Sequence, residues 1–369
     1  MIRLVSNETT SVLALVLVQL LCAVISPYAE EFKVTGSLVF TRYDARTNVS
    51  VRKELTFSVE VASNRWIIST APKVTNAADA VILSQVGTDG SNIFSVRYLN
   101  PEASRTTITG APVRKAANGA VSEIYRGLVP RGDGSFAAPL WLAYASSQYL
   151  NTTTNQLLPK VWADGQRLDS NWLSASWSKL PGSPGLPDRI TYFSDGKRYV
   201  ETPENIVKEV IEPAPYDKGF VQGSFETLTV TNYNSLLLPR AFRIVRYVVY
   251  DRAHAAQLRV SSTIEGQVMS LYPAHLSVDF RPQISTVTAV QDYRPQWKKD
   301  AFPEGISYTA TSNWLESEEL QKASQFKQSP QGRTMKSDHS SRIGIVFMLF
   351  CLATAVGVFL FNRASRNTD

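Results

Sequence analysis

The chain has 369 residues and a formal net charge of +6, enough length for one large domain or two ordinary ones with a sizeable core. The basic excess sits in scattered pairs such as Arg114–Lys115, Lys197–Arg198 and Lys298–Lys299 and not in one stripe, which excludes the usual footprint of a nucleic-acid binder. Of the 2 cysteines, Cys22 lies in an apolar run near the start and Cys351 in one near the end, so the stretch between them has no disulfide, no thiolate nucleophile and no cysteine metal site.

The first of those runs, Val12–Ile25, is broken only by Gln19 and is short for a membrane span. It suits the core of a secretory signal, with Arg3 as a thin basic region and Ala29 as the last signal residue. An uncleaved anchor is the alternative, because Pro27 stands where a small residue is preferred.

Strand patterns follow. Val34, Leu38 and Phe40 share one parity in Phe32–Tyr43, and Leu55, Phe57, Val59 and Val61 alternate with polar residues in Glu54–Ala62. Period 2 with one wet face predicts strands, and a Ser-Asn turn leads into a third over Arg65–Thr70. Ala80–Val86 and Asn92–Leu99 flank Asp89-Gly90, the strongest short hairpin signal. The same signal recurs at Asp133-Gly134, Asp164-Gly165 and Asp195-Gly196, with Asn118-Gly119 as a relative of it. Later strands are expected over Arg189–Phe193, Arg198–Glu201, Phe220–Tyr233, Arg240–Asp251, Gln257–Ile264, Leu276–Phe280 and Ile284–Tyr293. Short links between so many strands predict antiparallel pairing. Pro181–Pro187 reads as a loop that divides two sub-sheets.

Two helices interrupt the strands. Ser135–Leu150, capped by Ser135, is apolar nearly all round and is expected to be buried against a concave sheet. Thr311–Phe326, with Ser312 as its cap, has a thin apolar face. Residues 324–342 then form a polar stalk. Ile343–Phe361 carries no charge and is long enough, at roughly 1.5 Å per residue, to span a bilayer core. Lys327, Arg333, Lys336 and Arg342 precede it, against Arg363 and Arg366 after it. That charge balance alone favours a cytoplasmic body, but a long exported domain overrides it once a signal has started translocation.

The chemical motifs are thin. His254, His275 and His339 are separate and form no zinc pattern. Gly132-Asp-Gly-Ser135 is a turn with a helix cap and not a nucleophile elbow, and Arg131-Gly-Asp133 is a turn. Glu201 with Glu204, and Glu316 with Glu319, read as solvated or helix-start acids; Trp162, Trp172 and Trp177 read as core before sugar stacking. No catalytic residue, metal or cofactor is expected.

The opening Val34-Thr-Gly-Ser-Leu-Val-Phe-Thr-Arg-Tyr, the repeated hairpins and the inserted apolar helix resemble the envelope lipoprotein-carrier and sigma-regulator-sensor class. The resemblance spans the first half of the body and carries no functional residue over. It implies an incomplete antiparallel barrel around helices, holding acyl chains or lipidated partners.

The expected fold is therefore mainly β: one large antiparallel sheet, incomplete barrel or sandwich, with one or two packed helices and a C-terminal transmembrane helix. The expected layout is 1–29 signal or anchor, 30–323 extracytoplasmic body, 324–342 stalk, 343–361 span and 362–369 short basic tail. The expected function is non-catalytic binding in the cell envelope, with a scaffold or an envelope hydrolase as alternatives. Expected partners are the membrane, through the C-terminal helix, and a lipid or an envelope protein. Trp66, Phe94, Trp141, Tyr144 and Phe225 are the candidate groove residues, chosen by strand or helix context.

Overall fold

The protein is described by a computed structural model covering residues 31–44, 50–73, 82–98, 119–131, 136–152, 157–160, 172–183, 185–201, 207–234, 236–252, 255–274, 279–284, 287–296 and 305–328. The apolar runs Val12–Ile25 and Ile343–Phe361, most of the stalk, all three histidines, Asp133-Gly134, Asp164-Gly165, Trp162 and Glu204 lie outside those residues. Among the described residues no helix is long and apolar enough to cross a membrane.

The first six strands are β1 (Glu31–Tyr43), β2 (Ser50–Ala62), β3 (Arg65–Pro72), β4 (Ser84–Thr88), β5 (Asn92–Tyr98) and β6 (Ala120–Arg126). They lie side by side in chain order. Two helices follow, α1 (Ala137–Tyr144) and α2 (Ser147–Thr152). The chain then returns through β7 (Leu157–Pro159), β8 (Trp172–Lys179), β9 (Pro187–Ser194), a small separate hairpin of β10 (Lys197–Glu201) and β11 (Val207–Ile211), and the long strands β12 (Phe220–Tyr233), β13 (Leu236–Arg252) and β14 (Ala255–Tyr272). It ends in β15 (Thr288–Asp292), β16 (Ile306–Ala310) and α3 (Ser317–Gln328). The result is one 14-stranded sheet in the order β16-β15-β6-β5-β4-β3-β2-β1-β14-β13-β12-β9-β8-β7.

Local chemistry sets the turns. Ala62 pairs with Arg65, so Ser63-Asn64 is a two-residue loop, and Ser63 takes the left-handed φ of 58° that such a loop requires. At Asp89-Gly90 the Asp89 carboxylate accepts the N–H groups of Ser91 at 2.9 Å and Asn92 at 2.8 Å. Gly90 supplies the positive φ, and β4 pairs with β5 as the motif predicts.

Packing shows that the sheet curls. α1 contacts β2, β3 and β13. β3 and β13 stand four positions apart in the sheet, roughly 19 Å if it were flat, whereas a helix with its side chains is about 10–12 Å across. Only a concave sheet lets one helix touch both. The interior core confirms the curvature, since Tyr125 of β6 and Leu158 of β7, far apart in strand order, belong to one cluster. The parity read in β1 and β2 is the one buried: Val34, Leu38, Phe40, Leu55, Phe57, Val59 and Val61 all face this interior. Gly266 of β14 lies under the Phe242 ring, which a Cβ at that position would strike.

A second, smaller core lies on the other face, where Phe94, Val96, Ala120, Ile124, Val290, Ala310 and Trp314 pack together. A segment crosses there so closely that a Cβ on Gly87 would meet the Phe280 carbonyl.

Several expectations change. The helix expected over Ser135–Leu150 is two helices. Ala145 leaves the helical region, and the Ser146 hydroxyl donates back to the Leu142 carbonyl at 2.7 Å, a bond that competes with helix continuation. The N-cap is Phe136 with φ 60° and no side-chain cap; Ser135 lies outside the described residues. The last helix starts at Ser317, five residues beyond Ser312, and runs to Gln328, so the start of the expected stalk is helical. The Glu316 N–H donates to Glu319 at its entry, at 3.2 Å. Pairing is antiparallel except that β15 runs parallel to β6. Asp195-Gly196 is no hairpin of neighbours, because β9 pairs with β8 and β12 while β10 pairs with β11. The Pro181–Pro187 loop joins the adjacent strands β8 and β9 and divides nothing. The strands over β6, β7, β8, β11 and β16 had no sequence expectation.

Candidate functional site

The inner face of the curled sheet and the helix inside it form the one place where four of the five groove residues meet. Trp66 of β3, Trp141 and Tyr144 of α1 and Phe225 of β12 belong to the interior cluster. Phe94 does not. It is on β5 beside Ile93, and successive residues of a strand point to opposite faces. Ile93 goes inward and Phe94 packs on Trp314 in the second core, ring centroids 5.3 Å apart.

Aromatic rings line the interior in sequence. Phe225 stacks on Phe242 at 5.8 Å, Phe242 meets Tyr144 edge-on at 5.9 Å, and Tyr144 stacks on Phe57 at 6.0 Å. Trp141 meets Tyr149 of α2 at 5.6 Å, and Phe136 meets Phe40 at 5.3 Å. Every residue of α1 is buried, and apart from Tyr144 its side chains are apolar. The Tyr144 hydroxyl is buried without a hydrogen-bond partner, and burial pushes its ionisation far above the ordinary phenol range. Helix α1 is thus seated by contact area, which is non-directional, and by ring contacts, and not by side-chain capping.

The two ends of this interior differ. Beside the β2–β3 turn it is closed, with Phe32, Val61 and Trp66 at most 2% exposed and Gln148 of α2 donating to Ser63 at 3.3 Å. At the opposite end the inner face meets solvent: Val51 is 53% exposed, and Arg42 and Lys53 are exposed. Sequence reasoning passed over both arginines of this end: Arg42 looks like a strand end, and Arg246 lies inside the strand expected over Arg240–Asp251 with nothing local to mark it.

The remaining sequence candidates lie elsewhere. Glu316 is an exposed partner of Arg281 at 3.2 Å. Trp177 is half-buried against the interior core, with Lys179 over its ring at 5.9 Å. The Arg131 N–H donates to the Tyr125 hydroxyl at 2.8 Å, and its guanidinium lies over the same ring at 4.5 Å. Among the described residues no group of three or more His, Cys, Asp or Glu side chains is placed to hold a metal ion.

No protein-family model matches the chain, and no curated protein matches it in sequence. Solved structures similar to it include a LolA superfamily protein of Nitrosomonas europaea, at 9% identity and a TM-score of 0.31, covering 68% of this chain and 88% of that one. A putative outer membrane lipoprotein-sorting protein domain of Vibrio parahaemolyticus has 8% identity and a TM-score of 0.31, covering 72% of this chain and 93% of that one. A DUF1329 family protein of Desulfovibrio piger has 8% identity and a TM-score of 0.22, covering 71% and 92%. No residue role passes from any of them to this chain.

Proposed function

We propose that the chain is a membrane-tethered, non-catalytic binding protein of the cell envelope whose curled sheet accepts an acyl chain, from a lipid or a lipidated protein, against its inner face. One observation carries the reading: α1 is buried on every side, yet is held by apolar and ring contacts with no side-chain cap. An acyl chain offers the same sheet face the same kind of contact, at about 0.8 kcal/mol for each methylene removed from water. Displacing α1 therefore exchanges one set of apolar contacts for another. The tether in this reading is Ile343–Phe361.

A scaffold without a ligand is favoured by a different observation, that α1 already fills the interior and leaves Trp66, Trp141, Tyr144 and Phe225 no more than 2% exposed. Native mass spectrometry of the full chain, extracted in a mild nonionic detergent, separates the two. A stoichiometric acyl-chain adduct on the intact protein is the expected result. A clean apo mass that survives incubation with phospholipid, fatty acid and lipopeptide would leave the scaffold as the better account.

A further inference from the structure

The inner face changes chemistry at its open end, and strand register places that change on one rung. Arg42 of β1 stands opposite Ser262 of β14, and Arg246 of β13 stands opposite the same Ser262. Phe40 and Ile244, two residues before each arginine, belong to the interior core. Register is unbroken between Phe40 and Arg42 and between Ile244 and Arg246, and a strand returns to the same face every second residue. Both arginines therefore leave the sheet on the inner side with one strand between them, roughly 10 Å apart at the backbone. That is within mutual reach of two such long side chains.

Three neighbours shape the place. Gly223 of β12 pairs with Arg246 and puts no side chain on the rung. Immediately past Arg246 the β13–β14 register shifts, and Ser261 donates its hydroxyl to the Arg246 carbonyl at 3.3 Å. Bulges of this kind re-aim a side chain and recur beside binding sites. Lys53 of β2 stands opposite Phe40, two residues before the buried Leu55, so it adds a third cation to the same face. The electrostatics agree with the geometry: burial, and then the charge of Arg42, hold Arg246 down at about 10. Like charges on one rung of an apolar wall repel, and an anion set between them reverses the sign of that term.

We propose that Arg42 and Arg246, supported by Lys53, form a headgroup site for an acidic amphiphile, whose carboxylate or phosphate lies between the two guanidinium groups while its acyl chain enters the interior. This rests on the acyl-chain reading of the interior. The guanidinium fork matches both oxyanions bidentately, and the half-buried setting strengthens the bond over one in water. The ligand class narrows from any lipid to those with an acidic head.

The test uses the full chain, freed of lipid by exchange into nonionic detergent and incubated with equal concentrations of palmitate and methyl palmitate, with native mass spectrometry reading the bound ratio. The two ligands share a chain and differ in the charge of the head. The site predicts a preference for the acid of about tenfold or more. Arg42→Gln, at an exposed position, and Arg246→Met each bring the ratio close to one, and Arg246→Lys keeps part of it. Equal binding of acid and ester by the wild-type chain overturns the headgroup site and leaves the acyl-chain interior standing. Binding of neither overturns the interior reading itself. If millimolar inorganic phosphate removes the preference for the acid, the site takes a free oxyanion and the headgroup assignment is wrong.

Discussion

Glu212, which follows β11, is a carboxylate placed where water is scarce, its side chain 5% exposed and its partner Arg198 3.5 Å away. Burial raises its pKa above the ordinary carboxylate value, and the charge of Arg198 opposes the rise only in part. In the pH range just above that ordinary value the folded chain keeps a proton that the unfolded chain has released, so stability falls as pH rises through it. Glu212→Gln removes the ionisation. Urea midpoints are expected to coincide for variant and wild type at mildly acidic pH, and the variant is expected to be the more stable at neutral pH. A wild type that gains on the variant as pH rises would mean that Arg198 outweighs desolvation.

At the scale of elements, the carboxyl-terminal strands are locked by one buried ion pair. Asp292, at the end of β15, is fully buried and accepts from Arg294 through both oxygens, with Arg294 Nη2 at 2.7 Å. The same nitrogen of Arg294 donates to the Leu315 carbonyl at 2.8 Å, and the guanidinium lies over the Phe94 ring at 5.4 Å. Tyr308 of β16 donates to Asp292 at 3.4 Å. One carboxylate thus ties together β15, β16 and the approach to α3. Removing one partner of a buried pair leaves the other uncompensated, so Asp292→Ala is expected to cost about 3–5 kcal/mol in urea unfolding. A loss within about 0.5 kcal/mol would show that the pair is solvated and that the lock lies elsewhere.

Across the whole molecule the two cores differ in reach. The interior core runs from β6 to β7 in the strand order and takes in α1, whereas the second is confined to β5, β6, β15, β16 and the chain flanking them. Local stability follows buried apolar contact, so the two should open separately. Trp314→Ala removes the largest side chain of the smaller core, whose indole N–H donates to the Pro282 carbonyl at 3.0 Å. Hydrogen exchange of the full chain is expected to show faster amides in β15 and β16, with β1, β13 and β14 unchanged. A parallel rise in all five strands would make the sheet a single cooperative unit.

The alternation in β1 and β2, the Ser63-Asn64 and Asp89-Gly90 turns and the buried apolar helix were legible in the sequence, because each depends on residues within a few positions of one another. Period and turn chemistry are local properties. The strands β6, β8 and β16 were not legible, since strand preference is set by packing against neighbours more than by a pattern each carries alone, and β6 takes one of its neighbours, β15, from far along the chain. Tertiary structure alone split Phe94 from Trp66, Trp141, Tyr144 and Phe225, because the sheet is covered on both faces at β5 and one residue of register decides the side. It also alone put Arg42 and Arg246 on one rung, about two hundred positions apart in sequence but one strand apart in space, because β14 returns to pair with β1.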